Sequence, residues 1–491
     1  MKIAILGFGR EGQSVLKFLR KNPLSKKDKI YVLDKNPAIR VPKNINNQLG
    51  KNYLRNLSRF DIVFRSPGIP YNLPELVKAR KAGVRFLSVT KLFFSAIGGS
   101  PPEADAPLEH AYRRRDIKVI GVTGTKGKGT TSTLIYKILK AHSTSSGQAA
   151  GKKVFLAGNI GKSALDILPK LNKNSWVILE LSSFQLQDLN ISPHIAVVLD
   201  VFPDHQDSHK DLKEYYGAKA NIARYQKPND LIFFFKNNRL SRWVAQKSRG
   251  RKIAVSEKKF SLFKQDDLKI KGTHNFRNAV MAATVARTLG ISQQTILYAV
   301  KNFRGLEHRL EFIRSITIQR RQEKQPRRHS HILENVRMNF YNDSASTNPH
   351  TAAAAIKAFP GEPKILIAGG YDKGLNYKPL AQALSAEGGS ASGGKDPNVK
   401  LVVLFGQNKR KIKRQIAKNK VQIVLSNNLK SAVKLTYQAA IRDSRYSHKF
   451  ADSHYVIIFS PGAASFDQFQ NYADRGEQFR KIVLGLTKNI N

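Results

Sequence analysis

The sequence predicts an α/β protein of three domains, each built on a sheet whose strands run mostly parallel. Three observations predict it. Short apolar runs of strand length alternate with stretches whose apolar residues recur at helical spacing, the pattern of right-handed crossovers on a parallel sheet. Glycine-rich turns follow two of these strands and lead into helices. Two breaks interrupt the alternation, one opening with Gly98-Gly99-Ser100-Pro101-Pro102-Glu103 and one after Gly305. They divide the chain into a Rossmann-like domain at 1–97, a linker at 98–116, a central P-loop ATPase-type domain with a mixed or parallel sheet at 117–305, and a second Rossmann-like domain at 306–491.

In the first region the strand-like runs are Ile3–Leu6, Ile30–Leu33 and Ile62–Phe64, and Val15, Leu16, Phe18 and Leu19 mark a helix between the first two. The second region has Ile117–Val122, Val154–Leu156, Trp176–Leu181, Ile195–Leu199 and Leu231–Phe235, with a helix from about Asn275 to Leu289. The third has Glu311–Thr317, Val336–Asn342, Lys364–Ala368, Lys400–Phe405, Val421–Val424 and Tyr455–Phe459. Between them, Ser143–Gly151 reads as an exposed loop, Gln319–Glu334 as a long hairpin loop, and the Gly/Ser-rich Ser385–Asn398 as disordered.

Composition excludes several classes of function. Of the 491 residues 41% are hydrophobic and 24% charged, which suits globular domains with real cores. No apolar run reaches membrane-spanning length, and the N-terminus begins a strand without a cleavable leader pattern, so a cytoplasmic enzyme with no membrane partner is expected. Zero cysteines exclude disulfides, thiolate metal sites and thiol nucleophiles. The net charge of +49 is the footprint of a nucleic-acid binder. Its peaks, around Arg320–Arg328 and Lys409–Lys420, carry no nucleic-acid-binding motif, so the expectation is a basic surface and not a specific nucleic-acid partner.

The strongest motif follows the strand Ile117–Val122. Thr123-Gly124-Thr125-Lys126-Gly127-Lys128-Gly129-Thr130-Thr131 opens a helix from about Thr130 to Lys140. Glycines let successive N–H groups wrap a phosphate, and the helix N-terminus favours the anion. Lys128 then reaches the β- and γ-phosphates. The usual pattern puts Ser or Thr directly after that lysine to ligate Mg²⁺. Gly129 stands there instead, which moves the metal hydroxyl to Thr130, with Thr131 as the alternative. Glu180, in Glu180-Leu181-Ser182-Ser183-Phe184-Gln185, ends a strand expected beside the loop strand, and a carboxylate there suits Mg²⁺.

At the N-terminus Gly7-x-Gly9-x-x-Gly12 follows a strand, and Asp34 ends the next one. By itself this turn fits either a dinucleotide-dependent dehydrogenase or a protein that holds the diphosphate of a UDP-sugar. Ser66-Pro67-Gly68-Ile69 makes a second backbone cradle on the same sheet edge. Asp204-His205 and Ala218-Lys219 complete the residues whose chemistry stands out.

Taken in order along nearly the whole chain, these motifs resemble the Mur ligases of peptidoglycan synthesis. The resemblance rests on the phosphate loop, Gly158-Asn159-Ile160-Gly161, Glu180 to Leu186, Asp204-His205, Ala218-Lys219 and Gly272-Thr273-His274-Asn275-x-x-Asn278-Ala279. It continues in Gly305-Leu306-x-His308-Arg309-x-Glu311, Asn342-Asp343-Ser344, Gly369-Gly370-x-x-Lys373 and Ser460 to Phe469. It implies an ADP-forming ligase of cell-wall biogenesis, and so of cell shape and division, that uses ATP and two Mg²⁺ ions. Its substrates are implied to be UDP-MurNAc-L-alanine and D-glutamate, joined through an acyl-phosphate, and a monomer is expected.

The resemblance also implies residue roles. Lys128, Glu180, His205 and Lys219 form the catalytic set. Thr130 and Glu180 hold one Mg²⁺, and His205 and Lys219, the latter carbamylated, hold the second. Gly124 through Thr131 with Asn275, Asn278, His308, Arg309 and Asp343 form the ATP site. Gly9, Arg10, Glu11, Asp34, Lys35, Ser66, Pro67, Gly68, Asn159, Ser182 and Ser183 face the UDP substrate. Thr347, Lys373, Ser465, Phe466 and Tyr472 surround the incoming amino acid.

Two departures stand out. Lys128-Gly129-Thr130 is similar to folylpolyglutamate synthases, and Ala345 replaces a lysine frequent in the family. The folate-type alternative lacks a UDP-binding first domain, which residues 1–97 supply. A relative that adds diaminopimelate or lysine carries Asp-Asn-Pro-Arg, which this chain lacks, and a nucleic-acid-dependent ATPase needs motifs absent here.

Overall fold

A computed structural model describes residues 1–23, 27–98, 117–145, 152–203, 209–270, 272–321, 333–385, 398–443 and 452–486. All but Gly98 of the expected linker 98–116, residues 146–151 of the expected loop Ser143–Gly151, residues 322–332 of the expected loop Gln319–Glu334, most of Ser385–Asn398, and Asp204 and His205 lie outside them.

Three sheets carry the chain. The first comprises β1 (Lys2–Leu6), β2 (Lys29–Asp34), β3 (Asn46–Leu49), β4 (Ile62–Arg65) and β5 (Arg85–Leu87), all parallel in the order β3-β2-β1-β4-β5. The second comprises β6 (Lys118–Thr123), β7 (Val154–Gly158), β8 (Trp176–Glu180), β9 (Ile195–Val198), β10 (Leu231–Phe235) and β11 (Arg251–Val255), parallel in the order β11-β10-β9-β6-β8-β7. The third comprises β12 (Glu311–Arg321), β13 (Leu333–Asn342), β14 (Lys364–Gly369), β15 (Val399–Phe405), β16 (Gln422–Leu425) and β17 (Asp452–Phe459), in the order β12-β13-β17-β14-β15-β16. Only the β12–β13 pair in it is antiparallel.

Local chemistry explains the elements. The helix Arg10–Lys21 buries Val15, Leu16, Phe18 and Leu19 on one stripe, with Glu11 in its first turn and Arg20 and Lys21 in its last, the charge order its dipole favours. β6 and β14 read as unbroken apolar runs because both faces are covered. The expected loop at Gln319–Glu334 is shorter than the sequence suggests. β12 runs to Arg321 and β13 starts at Leu333, and the two pair in register as an antiparallel ladder, so both ends of the expected loop are strand. β3, β5 and β11 escape sequence reading because they are short and carry polar or basic residues.

The chain divides into two compact units, 1–263 with 277–300, and 264–276 with 301–491. The first unit holds both of the first two sheets. One apolar cluster joins them, running from Val15, Phe18 and Phe93 to Ala164, Leu165 and Leu168, where the helices Arg10–Lys21 and Val89–Ala96 pack on the helix Ala164–Ile167. Burying side chains of this size contributes about 1.5–3 kcal/mol each. No described helix is long and apolar enough to cross a membrane.

Candidate active site

In the first unit the phosphate loop connects β6 to the helix Lys128–Ser145, which begins two residues earlier than the sequence suggests. Gly124 and Gly127 have φ of +151° and +82°, conformations that L side chains rarely adopt. A Cβ on Gly127 would stand 2.3 Å from Asn278 Oδ1, so Asn278 packs directly against the loop. Thr125 N donates to Asp200 O at 2.8 Å, and Thr125 Oγ1 lies 2.9 Å from the Tyr215 hydroxyl. Asp200 is braced in turn by Arg277, whose Nη2 meets both carboxylate oxygens at 2.9 and 3.1 Å. Burial pushes the Asp200 pKa up, against the pull of Arg277.

Lys128 Nζ donates to the carbonyls of Gly124 and Thr125, both at 3.1 Å, folded back on its own loop. Lys126 is exposed, and Gly129 and Thr130 are half-buried. Thr131 is fully buried, its hydroxyl enclosed at the base of the helix. Thr130 is thus the more open of the two threonines.

Strand register brings Glu180 to this loop. β8 pairs with β6 so that Glu180 lies opposite Val122, and with β7 so that it lies opposite Gly158. Glu180 is 5% exposed, and its Oε1 accepts from Asn159 Nδ2 at 2.8 Å. Lys219, 1% exposed on the helix Leu212–Arg224, donates to Gly124 O at 2.8 Å with its ammonium 4.7 Å from the Tyr215 ring. Ser182 caps the helix Ser183–Leu186 through a reciprocal pair with Gln185. The buried Ser183 Oγ lies 3.0 Å from His209 Nε2, and His209 stacks on Phe184 with ring centroids 5.0 Å apart. Sequence reading missed His209, Tyr215, Asp200 and Arg277. Their types are ordinary, and only the fold gathers them around the loop.

In the first sheet the glycine turn is tight. Gly12 packs so close that a Cβ would meet Gly7 O at 2.2 Å. Asp34 accepts from Phe8 N at 2.6 Å and Asn36 N at 2.8 Å, and Ser66 Oγ donates to Gly7 O at 2.7 Å. Both side chains thus hold the turn itself. Gly9, Lys35 and Gly68 are exposed and Pro67 is half-buried, which leaves an open edge. The side chains of Arg10 and Glu11 reach the second sheet: Arg10 donates to Gly158 O, Asn159 O and Gly161 O, and Glu11 accepts from Gln185 Nε2 at 2.8 Å. Burial raises the Glu11 pKa, opposed by Gln185, Arg10 and Arg65.

In the second unit Arg475 is fully buried and organises the loops. It donates to Ser344 Oγ at 3.0 Å, Ser344 O at 2.8 Å, and the carbonyls of Ala463 and Ala464 at 3.0 Å. Asp343 accepts from Ser460 Oγ at 2.7 Å and Leu310 N at 3.2 Å, and burial pushes its pKa up to about 7. His308, with φ of +62°, sets its Nδ1 3.0 Å from Asn342 Nδ2, and burial lowers its pKa. Arg309 is exposed, and Asn275 and Thr347 are half-buried. Lys373 Nζ stands 5.5 Å from the centroid of Phe466, which is 62% exposed. Tyr472 lies instead against His308, 6.3 Å between ring centroids, and Ser465 is buried.

A hard cation with phosphate ligands fits the oxygen donors Thr130 and Glu180. A second one fits less directly, because Lys219 as an ammonium repels it and His205 lies outside the described residues. Among the described residues no three His, Asp or Glu side chains cluster with metal-ligand geometry.

Comparison with known proteins gives a consistent result. Residues 1–88 match the model of the Mur ligase MurD-like N-terminal domain, and residues 122–269 that of the Mur ligase middle domain. The chain is 33% identical over 507 residues to the UDP-N-acetylmuramoylalanine–D-glutamate ligase of Clostridium tetani, and 30% identical over 516 residues to that of Clostridium botulinum. Each alignment covers 99% of this chain and 97% of the relative. The crystal structure of UDP-N-acetylmuramate–alanine ligase from Thermotoga maritima shares the fold at a TM-score of 0.50 and 16% identity, covering 99% of both chains. With the phosphate loop and Glu180 in register and similarity along its whole length, the chain belongs to the Mur ligase family.

Proposed function

We propose that the chain adds D-glutamate to UDP-MurNAc-L-alanine, with ATP converted to ADP and phosphate, as a cytoplasmic monomer that makes peptidoglycan precursors. The observation that carries this is end-to-end similarity to D-glutamate ligases, combined with the placement of Glu180 beside the phosphate loop. In this reading residues 1–97 take the UDP-sugar, 117–305 take ATP, and 306–491 take the amino acid.

The substrate carboxylate attacks the γ-phosphorus and ADP leaves. Lys128 turns from the carbonyls of Gly124 and Thr125 to neutralise charge on the transferred group. Asn159 fixes the Glu180 carboxylate. Thr130 and Glu180 would hold a Mg²⁺ ion, which would supply positive charge to offset the negative charge of the phosphates. The D-glutamate amine then attacks the acyl-phosphate carbonyl, a tetrahedral intermediate collapses, phosphate departs and an amide remains. Lys373 pairs a carboxylate of the amino acid, beside Phe466. Lys219 serves as a carbamate, which converts a buried cation beside Gly124 into an anionic oxygen donor for a second ion. The +49 charge draws anionic substrates toward the molecule.

Phosphate release measured with UDP-MurNAc-L-alanine against a panel of amino acids tests this. Turnover is expected to require D-glutamate and to collapse in Lys128→Ala. D-Glutamate performing no better than the others overturns the substrate, and ATPase activity stimulated by DNA or RNA alone overturns the ligase.

A further inference from the structure

Arg10 and Glu11 are consecutive residues in the first turn of the helix that leaves the glycine turn Gly7–Gly9. Their side chains cross to the second sheet of the same unit and take hold of two different turns. Arg10 donates to Gly161 O at 2.9 Å, Gly158 O at 2.8 Å and Asn159 O at 3.3 Å. Glu11 accepts from Gln185 Nε2 at 2.8 Å, and the carboxamide oxygen of that same Gln185 accepts from Ser182 N at 3.1 Å and Ser182 Oγ at 3.2 Å. These two turns bracket Glu180. On one side Asn159 donates to its carboxylate and its backbone carbonyl, at 2.8 and 2.9 Å. On the other, Ser182 follows it by two residues. Gly158 allows no slack there, because a Cβ on it would stand 2.4 Å from Glu180 O. Arg65, 2% exposed, reinforces the second grip by donating to Phe184 O at 3.2 Å with Asp188 3.5 Å away.

A planar guanidinium that satisfies three carbonyls of one turn fixes that turn in a way a single point charge cannot. Backbone carbonyls left without this donor would lose both orientation and hydrogen bonds. We infer that Arg10 and Glu11 are positioning residues that hold the Asn159 and Ser182 turns on either side of Glu180, so that the ordering of the N-terminal glycine turn by a bound nucleotide diphosphate is passed to the catalytic strand end. The kinetic side of this inference rests on the ligase reading; the structural side does not.

The test combines steady-state kinetics with amide hydrogen exchange on the full chain, with and without UDP-MurNAc-L-alanine. In Arg10→Met, kcat is expected to fall by about tenfold to a hundredfold, the range for small misplacement of a catalytic group, while KM for the sugar nucleotide stays nearly constant. Exchange at 159–162 is expected to quicken, and sugar nucleotide should no longer slow it. Glu11→Ala should behave alike at 182–186, and Glu11→Gln, which keeps the acceptor for Gln185, should restore most of the turnover. A rise in KM with kcat intact would make both residues direct substrate contacts and overturn the inference. Unchanged exchange in both variants overturns it too, and this arm stays decisive if D-glutamate proves the wrong substrate.

Discussion

The Lys219 ammonium donates to the carbonyl oxygen of Gly124 at 2.8 Å, from a side chain 1% exposed. The same carbonyl accepts from Lys128. Two cations therefore share one acceptor behind the phosphate loop, and removing the charge of one relieves their repulsion.

The carbamylation proposed for Lys219 would do that. Turnover is expected to fall when dissolved CO₂ is stripped and to recover with bicarbonate, while Lys219→Ala loses at least about a hundredfold and no longer responds to bicarbonate. A wild-type rate indifferent to CO₂ would remove the carbamate from the mechanism.

Gly127→Ala puts a side chain at φ of +82° and against Asn278 Oδ1. The backbone strain alone costs about 1–2 kcal/mol, and the collision must shift either the loop or Asn278. ADP affinity by calorimetry should drop by about tenfold or more. Gly217→Ala meets nothing within 4 Å and should bind like the parent.

Asp343 predicts a pH signature. Its folded pKa, about 7, is raised above the unfolded value near 3.9, so the folded state binds the proton more tightly. Its contribution therefore disfavours folding progressively as pH rises from about 4 to about 7, and the penalty is complete above that. Asp343→Asn removes it. In denaturant unfolding, the stability of the variant relative to wild type should climb by a few kcal/mol across that window and then level off. A flat difference would contradict the assigned shift.

Arg475 joins Ser344 to Ala463 and Ala464 from a fully buried position, and that burial lowers its pKa to about 10. Arg475→Met leaves several buried carbonyls without donors and should destabilise by about 3 kcal/mol or more. Arg475→Lys keeps the charge but not the fan of N–H groups, and should recover only part of the loss by thermal unfolding.

The sequence by itself determined the α/β class, the order of the main strands, the phosphate loop and the candidacy of Glu180, because apolar periodicity and glycine spacing are local properties of the chain. It also led to Thr130 once Gly129 filled the usual slot. Partnerships between distant segments it could not hold. That Asp34 and Ser66, expected to face the UDP substrate, also brace the glycine turn was not visible in sequence. Arg10 and Glu11 reach segments about 150 and 174 residues away. His209, Tyr215 and Arg277 carry no motif, and gain their places only when the helix Leu212–Arg224 and the strand end at Asp200 close around the loop. Tertiary structure decided these because a hydrogen bond depends on where two atoms end in space, and strand register and helix packing set that position.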